Sequence, residues 1–159
     1  MGFVNGRHIT TVRVRYAETD RMGVAYNSHY LTWFEVGRTE LLRDLGFPYR
    51  EFERSGIMLP VREAGVKFMK PASYDDVLTV ATSINRKPGV RVFIEYEITR
   101  GSETIATGFT EHVFTDAGLR PVKPPKQFIE PMMETWRGKV PLKTPARRQA
   151  RSPNSGENP

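Results

Sequence analysis

The chain of 159 residues contains no cysteine. Disulfides, thiolate metal sites and a cysteine nucleophile are therefore excluded together. There is no run of about 18 apolar residues, so no membrane-spanning helix is expected. The opening stretch, MGFVNGRHITTVRV, lacks the apolar centre of a signal peptide. These absences make a cytoplasmic protein, away from membranes, the expectation. Only His8, His29 and His112 are histidines, and they have no metal-ligand spacing. Each is expected to be a surface or satisfied polar group, and no metal is expected. The motifs G-x-S-x-G, the P-loop and G-x-G-x-x-G are missing as well, which removes support for serine hydrolase, nucleotidase and Rossmann readings.

What is present suits one globular domain, with 38% hydrophobic and 26% charged residues. The net charge of +6 is unevenly spread. In residues 138–159, five basic side chains (Lys139, Lys143, Arg147, Arg148 and Arg151) face one acid, Glu157, leaving +4 there and +2 elsewhere. Four prolines and little apolar periodicity in that stretch predict a solvated, disordered basic tail after a domain over 1–137. A polyanion binder would rest on this tail alone, so no nucleic-acid partner is expected.

Hydrophobic spacing orders the rest. Residues 9–16 alternate, with Val12, Val14 and Tyr16 on one face, which predicts a half-buried strand. After a loop, the period turns helical from Asn27 or Ser28, either of which can cap through its side chain. Tyr30, Phe34, Gly37, Leu41 and Leu45 share a stripe, and Gly46 and Pro48 end it. Roughly 18 residues at 1.5 Å each give a helix of about 27 Å. Gly37 on its apolar stripe predicts close approach to a sheet. PYREFERSG predicts one or two further helical turns. Extended segments follow at residues 58–69 (bulged around Gly65), 76–85, 90–99 and 104–115, joined by the hairpin signals KPG and RGSE. Residues 126–136 predict a short helix interrupted by Pro131. The fold class is α+β, one long helix against an antiparallel sheet of about five strands. Exposed sheet edges predict self-association as a homodimer.

Chemistry concentrates in residues 16–42, YAETDRMGVAYNSHYLTWFEVGRTELL. Asp20 lies in a glycine-containing loop just before the long helix. A loop aspartate most often caps a turn. A carboxylate beside unpaired helix N–H groups can also polarise a carbonyl and activate water. Spacing alone leaves both readings open.

Tyr16, Thr19, Asp20, Gly23, Tyr26, Asn27 and Tyr30 follow the pattern Y-x-x-T-D-x-x-G-x-x-[YF]-[HNY]-x-x-[YF], continued by WFEVGRTELLRDLGF. A second block, VKFMKPASYDDVLTV, carries Pro71 and the turn Tyr74-Asp75-Asp76. Over about residues 8–127 the chain resembles the hotdog-fold acyl-CoA thioesterases of the 4-hydroxybenzoyl-CoA thioesterase type. The resemblance implies a hotdog domain that hydrolyses acyl-CoA to a free acid and CoA, with CoA part of the substrate and no cofactor, and it leaves homodimer and homotetramer both open. It places Asp20 as the catalytic carboxylate, either nucleophile or general base. It places the backbone N–H of Asn27, where the family often has His or Tyr, at the thioester carbonyl. Gly23 lets the catalytic loop turn. Tyr30 becomes a core or substrate-pocket residue, and Arg86, Lys87 and Arg91 around the KPG turn become contacts for the CoA phosphates, where the residues by themselves read equally as solvated hairpin charges. Met58, Phe68 and Met69 are expected in the core or lining the acyl pocket. Another hotdog branch uses a carboxylate within the long helix, which nominates Glu35 or Glu40. An acyl-carrier-protein thioesterase and a non-catalytic acyl-CoA-binding protein are the alternatives.

Overall fold

The computed structural model describes residues 2–139, so the tail expected to be disordered lies outside the described residues from 140 onward. Six strands are formed: β1 (Phe3–Val4), β2 (Arg7–Arg13), β3 (Val61–Phe68), β4 (Val77–Ser83), β5 (Arg91–Arg100) and β6 (Glu103–Val113). The helices are α1 (His29–Asp44), α2 (Tyr49–Ser55) and α3 (Lys126–Trp136). The strands make one antiparallel sheet in the order β1-β2-β4-β5-β6-β3. With α1 laid along one face, this is the hotdog arrangement.

The patterns that build these elements are direct. In β5, Val92, Ile94, Tyr96 and Ile98 are all buried, the period of two that a half-covered strand requires. In α1, Tyr30, Trp33, Phe34, Gly37 and Leu41 form the buried stripe at helical spacing. A Cβ on Gly37 would stand 2.5 Å from Thr82 Oγ1 and 2.8 Å from Val80 Cγ1, so only glycine lets the helix axis come this near β4. One turn earlier, Phe34 stacks on Tyr96 with ring centroids 4.3 Å apart. Gly108 of β6 makes room for that ring, since a Cβ there would meet it at 2.5 Å. A second cluster joins α2 and α3 to the sheet end, where Phe128 packs on Phe47, Phe52 and Phe114.

Several elements depart from their sequence-based bounds. β2 stops at Arg13, and Tyr16 opens a 3₁₀ turn with 78% of its surface exposed. The Val14 N–H still meets the Asp76 carbonyl in the register of β2 on β4, and the chain turns just after it, at Arg15, whose carbonyl accepts the Glu18 N–H at 2.9 Å. The irregularity of β3 falls between Val61 and Glu63, not at Gly65. At Gly65 the ring of Phe109 fills the space a side chain would take. α3 is continuous through Pro131, held by burial of Phe128 and Met132 on either side of it. The two-residue β1 is an addition to the expected five strands. Its turn, Asn5-Gly6, has both residues at positive φ and is the dipeptide a tight hairpin prefers.

Two histidines lie in the interior. His8 is 1% exposed, with Nε2 bonded to Asp44 Oδ2 at 2.8 Å, while its Nδ1 has no partner among the described residues. His112 belongs to a directed chain of hydrogen bonds. Its Nδ1 lies 3.0 Å from the Leu59 carbonyl, which can only accept, so Nδ1 carries the proton. Nε2 then accepts from Thr110 Oγ1 at 2.7 Å, and Thr110 accepts from the Tyr96 hydroxyl at 2.6 Å. Burial, reinforced by the nearby Arg38 charge, pushes His112 from 6.5 down to about 4 despite the Leu59 carbonyl.

Two outcomes follow. Gly37→Ala is expected to destabilise the fold by up to about 2 kcal/mol in urea unfolding, because overpacking of about 1–3 kcal/mol outweighs the gain in helix propensity of about 1 kcal/mol. His112 is depressed in the folded state, so its neutral form contributes stability above about 6.5 that is lost as pH falls toward about 4. The loss is about 3 kcal/mol at most. Urea midpoints at pH 7 and pH 4.5 check this, and the fall should be smaller in His112→Asn.

Candidate active site

Asp20 sits at the tip of a short arm that leaves the sheet after β2. The chain turns through Tyr16–Glu18, and Thr19 then pairs with Ala25 across the arm. At the tip, the Asp20 N–H donates to the Val24 carbonyl at 2.9 Å and the Gly23 N–H to the Asp20 carbonyl at 3.1 Å. Gly23 has φ +77, and a Cβ there would meet nothing within 4 Å, so the turn requires glycine and crowding does not. The β3–β4 connection holds the outer side of the arm. Ala25 N–H donates to the Ala72 carbonyl at 2.7 Å, and Tyr74 N–H to the Gly23 carbonyl at 3.4 Å.

The Asp20 side chain is exposed and has a divided role. Oδ1 accepts from the Met22 N–H at 2.7 Å and the Val24 N–H at 3.4 Å, the ordinary work of a loop aspartate. Oδ2 has no hydrogen-bond partner among the described residues and is open to water or a ligand.

Asn27 and Ser28 lead into α1, and neither caps it through its side chain. Ser28 is already helical, at φ −64 and ψ −25. A tight turn takes over instead: His29 N–H donates to the Tyr26 carbonyl at 3.1 Å and Tyr30 N–H to the Asn27 carbonyl at 3.4 Å. The backbone N–H groups of Asn27 and Ser28 are left without partners among the described residues. Both residues are exposed, and their two donors stand at the positive end of α1.

Tyr30 is 2% exposed and packs against Trp33 and Phe68. Its hydroxyl accepts from the Ala72 N–H at 3.3 Å, and burial pushes its ionisation up. In the single chain it supports the arm from below. Glu18 was overlooked in the sequence, where it reads as one more loop charge. It is 3% exposed, and its carboxylate accepts from the Arg15 N–H at 2.8 Å and the Trp33 indole N–H at 3.1 Å. Burial works to raise its pKa, but these bonds and the Arg15 guanidinium hold it below the usual carboxylate value. Trp33, its partner, is adjacent to the expected helix stripe and was the available signal.

The predicted basic residues stand elsewhere. Arg86 and Lys87 lie in the β4–β5 connection and Arg91 opens β5, at the opposite end of β4 from the arm. Seven residues of β4 at about 3.3 Å each put roughly 20 Å between the two ends. There Arg86 covers the Phe93 ring at 3.7 Å, and Arg91 lies 3.6 Å from Glu111. At that same far end, Glu35, Arg38, Leu42, Met58, Leu59 and His112 help line a cavity of about 520 Å³. Glu35 therefore faces a pocket, whereas Glu40 pairs with Arg43 at 3.3 Å. Met58, Phe68 and Met69 are 42–50% exposed, so none is a core residue in the single chain. Among the described residues there is no group of three or more His, Asp or Glu placed to hold a metal, and no helix long and apolar enough to cross a membrane.

Comparison with known proteins agrees with the fold. The chain is 36% identical to YneP of Bacillus subtilis over 119 residues, 74% of this chain and 86% of that protein. It is 31% identical to the acyl-CoA thioesterase YbgC of Haemophilus influenzae, over 73% of this chain and 87% of the relative. Among solved structures, the DHNA-CoA thioesterase of Staphylococcus aureus superposes with a TM-score of 0.74 at 33% identity, covering 82% of this chain and 89% of that one. Residues 14–134, the span that holds the arm, α1 and the whole of β3 to β6, match the thioesterase-like superfamily, and the chain belongs to it.

Proposed function

We propose that this protein hydrolyses acyl-CoA thioesters to a free carboxylic acid and CoA, with Asp20 as the reactive carboxylate. The observation that carries this is the exposed Asp20 Oδ2 on the same arm that ends at two open backbone donors, Asn27 and Ser28. The Haemophilus relative, an acyl-CoA thioesterase by name, supports the substrate class. Water attacks the thioester carbonyl as Asp20 takes its proton, and the developing oxyanion binds the N–H groups at the start of α1. The C–S bond then breaks, and the CoA thiolate recovers the proton. In the nucleophilic variant, Asp20 itself attacks and water cleaves the resulting mixed anhydride. No step needs a metal or cofactor from outside the chain.

The reading includes self-association. β3 is an edge strand, and large exposed apolar side chains gather at its two ends: Phe68, Met69 and Tyr74 near the arm, and Met58 and Val61 at the other. The arm adjoins the end of β3, whereas the cavity and the Arg86–Arg91 turn adjoin its start. Antiparallel pairing of two β3 edges brings the arm of one copy to the cavity and basic turn of the other. That pairing reunites Asp20 with the cations the CoA phosphates need, and with an acyl pocket.

Asp20→Asn is expected to lower thiol release at least about a hundredfold with the thermal midpoint unchanged. A panel of short, long and aromatic acyl-CoAs, with one acyl-carrier-protein thioester, is read with a thiol dye. Single-turnover hydrolysis in ¹⁸O water labels Asp20 only on the nucleophilic route. Light scattering should find a mass at least twice that of the chain. Mixing Asp20→Asn with an Arg86→Ala/Lys87→Ala/Arg91→Ala chain should recover activity above the sum of the two alone.

A further inference from the structure

We infer that Glu18 is a positioning residue for this reaction, its buried carboxylate locking the Asp20 arm to α1. This rests on the reading of Asp20 as the reactive carboxylate. A carboxylate at 3% exposure is a costly group to bury, and because the Arg15 side chain opposite it is exposed, that ion pair is a weak source of stability. What Glu18 does provide is geometry. Its Oε1 accepts from the Arg15 N–H at the foot of the arm, and the Arg15 Nε lies 3.4 Å from the same oxygen. Its Oε2 accepts from the Trp33 indole, which is fixed in the core one turn along α1 from the helix start. Its own carbonyl accepts the Tyr26 N–H at 2.9 Å, next to Asn27.

These bonds close a circuit. Trp33 packs on Tyr30 with ring centroids 4.8 Å apart, and the Tyr30 hydroxyl takes the Ala72 N–H. The Ala72 carbonyl takes the Ala25 N–H, and Ala25 pairs back to Thr19 across the arm. Both strands of the arm are thus referred to one rigid helix, while its tip, from Asp20 to Gly23, stays exposed. Glu18 is the one side chain in the circuit that touches the arm's foot and α1 together. A single neutral amide in its place has only one acceptor oxygen, so either Trp33 or Arg15 would face an NH₂ group instead.

Displacement of a reacting group by about 1 Å from a change outside the chemistry can cost about a hundredfold in rate. The experiment measures kcat and KM for wild type, Glu18→Gln, Trp33→Phe, the double variant and Asp20→Asn. The substrate is benzoyl-CoA or hexanoyl-CoA, whichever wild type hydrolyses faster, and rates are normalised to folded protein. Glu18→Gln should lose at least about tenfold in kcat with KM changed less than about threefold, well inside that limit. Trp33→Phe should fall in the same sense, and the double variant should be no worse than the poorer single, because one shared bond is lost. Wild-type kcat in folded Glu18→Gln beside an inactive Asp20→Asn would overturn the positioning role alone. Losses that multiply in the double variant would overturn it too, since they mark two independent packing defects. Wild-type turnover in Asp20→Asn would overturn the underlying catalytic reading instead.

Discussion

The contact of α1 with β4 at Gly37 is the constraint on which the rest of this structure depends. With no side chain there, the helix settles within van der Waals reach of Val80 and Thr82, and Phe34 can lie flat on Tyr96. Once the helix axis is fixed by that contact, the position of its N-terminus is fixed with it. The two N–H groups at Asn27 and Ser28, unpaired among the described residues, are therefore held by core packing six to ten residues away, not by local side-chain caps. A site that stabilises charge works through such preorganisation, because donors already in place need no rearrangement as charge develops.

Around this anchor the site is divided between a rigid foundation and an exposed tip. Glu18, Trp33, Tyr30 and Ala72 are buried and mutually bonded, whereas Asp20 to Gly23 meet solvent. The apolar side chains that are exposed near the arm, Tyr16, Met22, Tyr26 and Tyr74, give it a surface unlike that of an isolated loop. The division of labour follows from dielectric. Buried hydrogen bonds hold position because water does not compete for them, and the exposure of Asp20 is what its proposed role as the reactive carboxylate requires.

The parts that were legible in the sequence were those governed by short-range periodicity. The alternation in β5 and the stripe of α1 follow from side-chain geometry within one element, and both are found where the pattern put them. The close approach at Gly37 was legible because a glycine on an apolar helical stripe has few other uses. Tyr16 was misread as the end of a strand. Its alternation is real, but the 3₁₀ turn closed by the Glu18 N–H on the Arg15 carbonyl takes the chain off the sheet first. Capping by Asn27 or Ser28 was misread for a related reason, as the 3₁₀-like turn from Tyr26 supplies the acceptors ahead of either side chain.

By itself the sequence determined the elements, the helix facing and the glycine turn of the loop that carries Asp20, since each depends on residues close in the chain. Only the tertiary structure decided which oxygen of Asp20 is free, that Glu18 is buried against Trp33, and that the arm and the Arg86–Arg91 turn lie at opposite ends of the sheet. Those facts depend on contacts between residues far apart in the chain and on the antiparallel order of the strands. Periodicity is blind to both, because it records which face a side chain takes and not what it meets there.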